Sequence, residues 1–237
     1  MSRVAIMQPY FFPYLGYFSL IKHTDEFILF DPVQFIRHGW IERNRILKQN
    51  EGWLYIKVPL LKHDRDTIIK EVVIDNAQNW QQTILSQLQT YKKIAPYYED
   101  VVGMVNRVFE KRTDSIVELN KKCLEEVCSY LNIRLNLHVF SEMNFQLAPV
   151  NKPDEWALNT CLALEHVNEY WNPPGGREFF NPAKYESAGI KLRFQKIQLN
   201  PYDQKRETFE PGLSIIDVLM FNSADEVNAM LNEYVVE

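Results

Sequence analysis

Glycine and cysteine are both scarce in this chain. Its 237 residues hold 8 Gly and 3 Cys. So few glycines, without a repeat, exclude a collagen-like chain, and 12 scattered Pro do not make a flexible linker. Cys123, Cys128 and Cys161 are too few for a disulfide framework. Their spacing, Cys-x4-Cys and a distant third, matches no common zinc pattern. Cys123 and Cys128 fall on an apolar helical stripe and read as core residues. Such cysteine usage points to a reducing, cytoplasmic setting. No apolar run approaches the roughly 18 residues of a transmembrane helix, so no membrane span is expected. The opening stretch has one Arg and then a Pro-broken aromatic segment, which is unlike a secretory signal. Basic excess is missing as well. At a formal net charge of −5, a general nucleic-acid-binding surface is not expected. Walker loops, dinucleotide fingerprints and Gly-x-Ser-x-Gly elbows are all absent. With 46% hydrophobic and 24% charged residues, global disorder is excluded.

Aromatic residues are in excess, with 14 Phe, 12 Tyr and 5 Trp. Six of them lie between Tyr10 and Phe18. Around them the first part of the chain alternates strand and helix signals. Val4–Gln8 is a short apolar run stopped by Pro9, residues 13–23 have helical spacing, and Phe27–Phe30 is a second apolar run. Strand, helix and strand predict a parallel pair. Trp53–Val58 and Ile68–Ile74 read as further strands. From Trp80 onward the pattern is helical, and Ile116, Leu119, Cys123, Val127 and Leu131 make its clearest stripe. Alternation at Leu135, Leu137 and Val139 predicts a strand, and Trp156–His166 a helix. Asn181-Pro182 then opens a short helix that Gly189 closes, and Ile190, Leu192 and Phe194 alternate as another strand. Ser214 and Ser223 read as helix N-caps. The class is α/β: a parallel-sheet, nucleotidyltransferase-like (HUP or Rossmann-like) core with a helical middle region. The chain divides into a βαβ part at 1–75, a mostly helical segment at 76–134 and an α/β part at 135–237 that completes the same domain.

Four stretches can carry chemistry. Gln8–Phe18 sits where the first strand ends and the first helix begins, the place where open parallel sheets bind ligands. Helix N-termini favour phosphate there, and Gly16 allows close backbone approach. Asp31-Pro-Val-Gln34-Phe35 ends the second strand, so a carboxylate and an amide face the same crevice, unless Asp31 merely caps a turn. In Gly39–Arg45, Arg43 and Arg45 flank Asn44 near the indole of Trp40. These arginines either clamp a carboxylate or phosphate or form a solvated helical face. Gly175-Gly176-Arg177 is either an anion-binding nest or a plain turn. His38 and His63–Asp66 read as solvated loop, and no metal site is expected.

These stretches resemble the WbqC-like family. The marks are Ile6–Phe18, Phe30–Phe35, Gly39–Arg45, Pro174–Arg177, Ala188–Ile190, Pro211 and Leu213–Leu219, spread over nearly the whole chain. The resemblance implies a bacterial protein acting among the enzymes of O-antigen and other surface-polysaccharide sugars. A more distant layout is similar to the pantothenate synthetases. They have a strand, a His-x-Gly-His turn, a helix and a strand ending Asn-Pro-x-Gln-Phe. Here the turn is Tyr14-Leu-Gly-Tyr17 and the ending Asp31-Pro-Val-Gln-Phe35, so both histidines are tyrosines. No Lys-Met-Ser-Lys-Ser-type loop follows.

The resemblance implies acyl or aminoacyl transfer to a nucleotide-linked amino sugar, with ATP and Mg2+ as co-substrate in the adenylate-forming variant. The alternative is a non-catalytic protein of the same pathway that binds a nucleotide or nucleotide-sugar. Under the enzymatic reading Tyr14, Tyr17 and Asp31 are the catalytic candidates. Gln8, Pro9, Gly16, Arg43, Arg45, Gly175, Gly176 and Arg177 hold phosphate. Tyr10, Gln34, Phe35, Trp40 and Asn44 contact substrate. The expected partner is a small molecule, with room for a homo-oligomer.

Overall fold

Val4, Ala5 and Ile6 are bulky, apolar and too few for a helix, and Pro9 cannot continue a sheet ladder. They form β1 (Ser2–Met7) in the computed structural model, which describes residues 2–237. Then come α1 (Leu15–His23) and β2 (Glu26–Leu29), which pairs parallel to β1 with Val4 opposite Glu26. The antiparallel strands β3 (Arg43–Leu47) and β4 (Trp53–Lys57) form a separate hairpin. The helical stretch is α2 (Trp80–Leu88), α3 (Tyr98–Glu110) and α4 (Ile116–Tyr130). The sheet resumes with β5 (Leu137–Val139), followed by α5 (Glu155–Ala163) and β6 (Val167–Asn172). Last come α6 (Pro182–Ser187), β7 (Lys191–Ile197), α7 (Ile215–Phe221), α8 (Ala224–Met230) and β8 (Tyr234–Val236).

The six-stranded sheet has the order β5-β2-β1-β6-β7-β8, parallel except for β8. Counted along the chain, its strands lie 3-2-1-4-5-6, the Rossmann order. The hairpin and the three middle helices are inserted between the second and third of them. Successive side chains on β1 face opposite ways. Ala5 shares a core with α1, α3, α4 and α7, while Val4 and Ile6 share another with Tyr170, Cys161 and Tyr185. Both faces are covered, so β1 and β2 read as continuous apolar runs, Val4 to Met7 and Phe27 to Leu29. All three cysteines are buried and free. Among the described residues no helix is long and apolar enough to cross a membrane.

Three elements differ from expectation. Ile68–Ile74 is not a strand but a short 3-10 turn, Ile69–Glu71, flanked by isolated bridges. Its amides are taken by the loop after β2: Ile69 N–H donates to Val33 O and Lys70 N–H to Asp31 O. Residues 43–47 are a strand, with Asn44 and Ile46 buried and the two arginines half-buried on its other face. The central strand β6 carries no clean alternation because Glu169 sits near its start, 3.8 Å from both Arg3 and Arg193.

One buried carboxylate ties the C-terminal elements to the hairpin. Asp217 on α7 is fully buried and accepts hydrogen bonds from Tyr91 Oη at 2.7 Å, from Gln204 Nε2 at 2.9 Å and from Tyr202 Oη. Tyr91 Oη in turn accepts from Leu47 N–H at 2.8 Å. Burial outweighs these donors and pushes the carboxyl up to about 6.

Candidate functional site

The segment after β1 is bent back on itself and pinned. Phe12 has a φ of 40°, left-handed backbone that a bulky residue enters only when its surroundings hold it there. Asn44 Nδ2 donates to Phe11 O at 3.2 Å and to Phe12 O at 2.5 Å. Ser214 Oγ donates to Phe12 O at 2.8 Å, and Phe11 N–H to Trp40 O at 3.0 Å. Both phenylalanine rings are buried. With the bend fixed from below, the Tyr10 ring emerges above it and stacks on Trp40, centroids 5.8 Å apart and planes 27° from parallel. Tyr17 meets Tyr10 edge-on at 5.8 Å and donates its hydroxyl to Gln8 O at 2.9 Å.

This platform forms one wall of a crevice of about 900 Å³. It lies outside the carboxyl ends of β1 and β6, where the strand order reverses. Gln8, Pro9, Val33, Gln34 and Ile36 complete the near side. Phe30, Trp156, Tyr170, Asn172, Phe179 and Phe180 build the far side. Among the described residues no Asp, Glu, Lys, Arg, His or Cys lines it. Its titratable groups are the hydroxyls of Tyr10, Tyr17 and Tyr170, each pushed up from its ordinary range by burial. At neutral pH they are uncharged donors. A second hollow of about 20 Å³ beside Tyr202 has room for little more than a water.

Six of the expected site residues therefore meet in one place: Gln8, Pro9, Tyr10, Tyr17, Gln34 and Trp40. Gln34 Nε2 is engaged by Arg65 O at 2.7 Å. The others lie outside the lining. The space above Gly16 is filled by the Tyr14 ring, which stands 2.5 Å from where a Cβ would be. The close approach that Gly16 permits is thus to its own neighbour, not to a phosphate. Asp31 is buried and accepts from Ser141 N–H at 3.0 Å and Ser141 Oγ at 2.6 Å. It fastens the end of β2 to the turn after β5. Phe35 packs edge-on against His63 at 5.2 Å, in the core.

The arginines do not converge. Arg43 donates to Gly39 O at 3.2 Å and to His38 O, with its guanidinium 4.2 Å from the Tyr55 ring centre. Arg45 donates to Gly212 O at 3.1 Å and lies between the indoles of Trp40 and Trp53, at 5.4 and 5.1 Å. Asn44 is the buried pin already described. Gly175 and Gly176 belong to a 3-10 turn, Pro174–Phe179, and not to an anion nest. A Cβ on Gly176 would come within 3.1 Å of Asn172 Oδ1 and the Phe180 ring. Arg177 pairs with Glu237 across the Phe194 ring.

The far wall was the part not foreseen. Tyr170 and Asn172 enter the crevice on β6, Phe179 and Phe180 at the end of the 3-10 turn that follows it, and Trp156 on α5; β6 is the strand whose pattern is obscured. Its only sequence signal was Asn172 immediately before two prolines.

Most of this crevice falls within one family signature. The model of the WbqC-like protein family matches residues 8–229, from Gln8 at the crevice through α8. The chain belongs to the WbqC-like protein family. An uncharacterized protein of Mycobacterium tuberculosis is similar to it, 30% identical over 229 residues that cover 95% of this chain and 96% of that one. No solved structure matches. For this family member the crevice residues do not fit a magnesium-bound triphosphate. That group asks for cations or free N–H donors. Among the described residues the lining has no cation, and the Tyr14 ring fills the space beside Gly16 at the first turn of α1. Among the described residues no group of three His, Cys, Asp or Glu is arranged to hold a metal.

Proposed function

We propose that the protein binds the sugar of a nucleotide-linked amino sugar in surface-polysaccharide synthesis and holds it for other enzymes of the pathway, without transforming it. The observation that carries this reading is a large crevice walled by aromatic rings and carboxamides with no charged side chain. Sugar rings have apolar C–H faces and a rim of hydroxyls. Flat aromatics meet the faces, and amides and phenols meet the rim. About 900 Å³ lies within the usual ligand range of roughly 300–1,000 Å³. The polysaccharide context comes from what the family resemblance implies. The nucleotide's phosphates stay in water at the mouth.

Acyl or aminoacyl transfer would need a base able to accept the amine's proton near neutral pH. The tyrosines of the lining are pushed the wrong way, and Asp31 is spent on Ser141. Binding without chemistry is the reading these positions favour.

Thermal unfolding with a ligand panel tests it. Nucleotide-linked N-acetylamino sugars at about 100 times their dissociation constants stabilise by roughly 2.7 kcal/mol, a rise of several degrees. ATP with Mg2+ is expected to give none. A rise with ATP and Mg2+ alone, or no rise with any sugar nucleotide carried on UDP or dTDP, contradicts the proposal.

A further inference from the structure

We propose that the crevice discriminates by charge: it accepts the amino sugar with its nitrogen acylated and rejects the free ammonium. This rests on the sugar-binding reading above. An ammonium entering the crevice gives up its water and needs a counter-charge, because burying an unpaired ion is far more costly than burying a dipole. Among the described residues, none of the carboxylates adjacent in sequence to the lining is itself a lining residue: Glu169 pairs with Arg3 and Arg193, and Glu178 is exposed beside Phe179. Asp31 is held by Ser141. Asp154 and Glu155 both pair with Lys184, at 3.0 and 2.8 Å. Glu42 is buried outside the lining.

Aromatic walls can attract cations through their ring faces. At the Tyr10–Trp40 platform that attraction is already taken, because the Arg45 guanidinium lies over the Trp40 ring at 5.4 Å. This platform therefore already faces a positive charge, which also acts on the Tyr10 hydroxyl. That charge repels an ammonium and leaves a neutral amide undisturbed. An N-acyl group also meets what the lining offers. Gln8, exposed and without a side-chain hydrogen bond among the described residues, can donate to and accept from an amide. The acyl methyl finds apolar surface on rings such as Phe30 and Trp156.

Titration calorimetry on the full chain tests this with matched pairs: UDP- and dTDP-linked amino hexoses, each as free amine and as N-acetyl derivative. The N-acetyl member of the binding pair is expected to bind at least about tenfold tighter. Gln8→Glu adds a carboxylate of nearly the same shape at an exposed position. It is expected to shift the ratio about tenfold or more toward the free amine with an unchanged melting temperature. Free amine binding as tightly as N-acetyl to the unmodified protein, or a Gln8→Glu ratio that does not move, overturns the inference and leaves sugar binding standing. If neither member of any pair binds, sugar binding itself fails and the charge preference falls with it.

Discussion

Replacing Asp217 by alanine is expected to destabilise the fold by about 3 kcal/mol at pH 7 and to lower the melting temperature by roughly 10 °C. The change strands the hydroxyls of Tyr91 and Tyr202 and the amide of Gln204, all of which donate to this carboxylate, and leaves a void under α7. The pH dependence has a definite sign. The Asp217 carboxyl rises from 3.8 to about 6 on folding, so the folded state holds this proton more tightly than the unfolded chain. The stability it contributes is complete below about pH 4 and is lost as pH climbs through about 6, by up to about 3 kcal/mol. Asp217→Asn keeps the shape and removes the titration. Chemical denaturation of both proteins between pH 4 and 7 should therefore show the stability advantage of wild type over Asp217→Asn shrinking as pH rises. An advantage that grows with pH would mean that the network stabilises the charged form.

Asn44→Ala is expected to lose about 3 kcal/mol and to weaken ligand binding together. Its carboxamide donates to Phe11 O and Phe12 O and accepts from Arg45 N–H at 2.8 Å. Without it, the buried Phe11 carbonyl loses its side-chain donor, and Phe12 keeps only Ser214 to hold its left-handed backbone. The same bend positions Tyr10 and, through Phe11 N–H, the carbonyl of Trp40. Denaturation and calorimetry on Asn44→Ala should move in the same direction. A large stability loss with unchanged ligand affinity would separate the bend from the crevice.

The parallel βαβ start was legible because its strands are short, apolar and bounded by proline, and α1 follows at helical spacing. The helical middle was legible for the same local reason, periodic burial. The switch point was legible in part. Gln8, Tyr10, Gln34 and Trp40 follow the strand ends that the pattern marked, and they do meet there. What could not be read was long-range pairing. Glu169 in β6 is tolerated because Arg3 and Arg193 flank it from neighbouring strands, and no local pattern announces such partners. With β6 unplaced, Asn172 and Phe179 could not be assigned to the crevice. The choice left open for the arginines could not be made from the sequence for a related reason. Guanidinium groups serve carbonyls and aromatic faces as well as phosphates. Only the fold reveals that Gly39, Gly212 and Glu237 have claimed Arg43, Arg45 and Arg177.

The most direct test of the central claim is calorimetric binding of a nucleotide-linked N-acetylamino sugar to wild type, Trp40→Ala and Arg177→Ala. Loss of the stacked indole should weaken binding about tenfold or more, and loss of Arg177 should leave it unchanged. Equal binding by wild type and Trp40→Ala, with a loss in Arg177→Ala, would contradict the aromatic crevice and return the phosphate-clamp reading in its place.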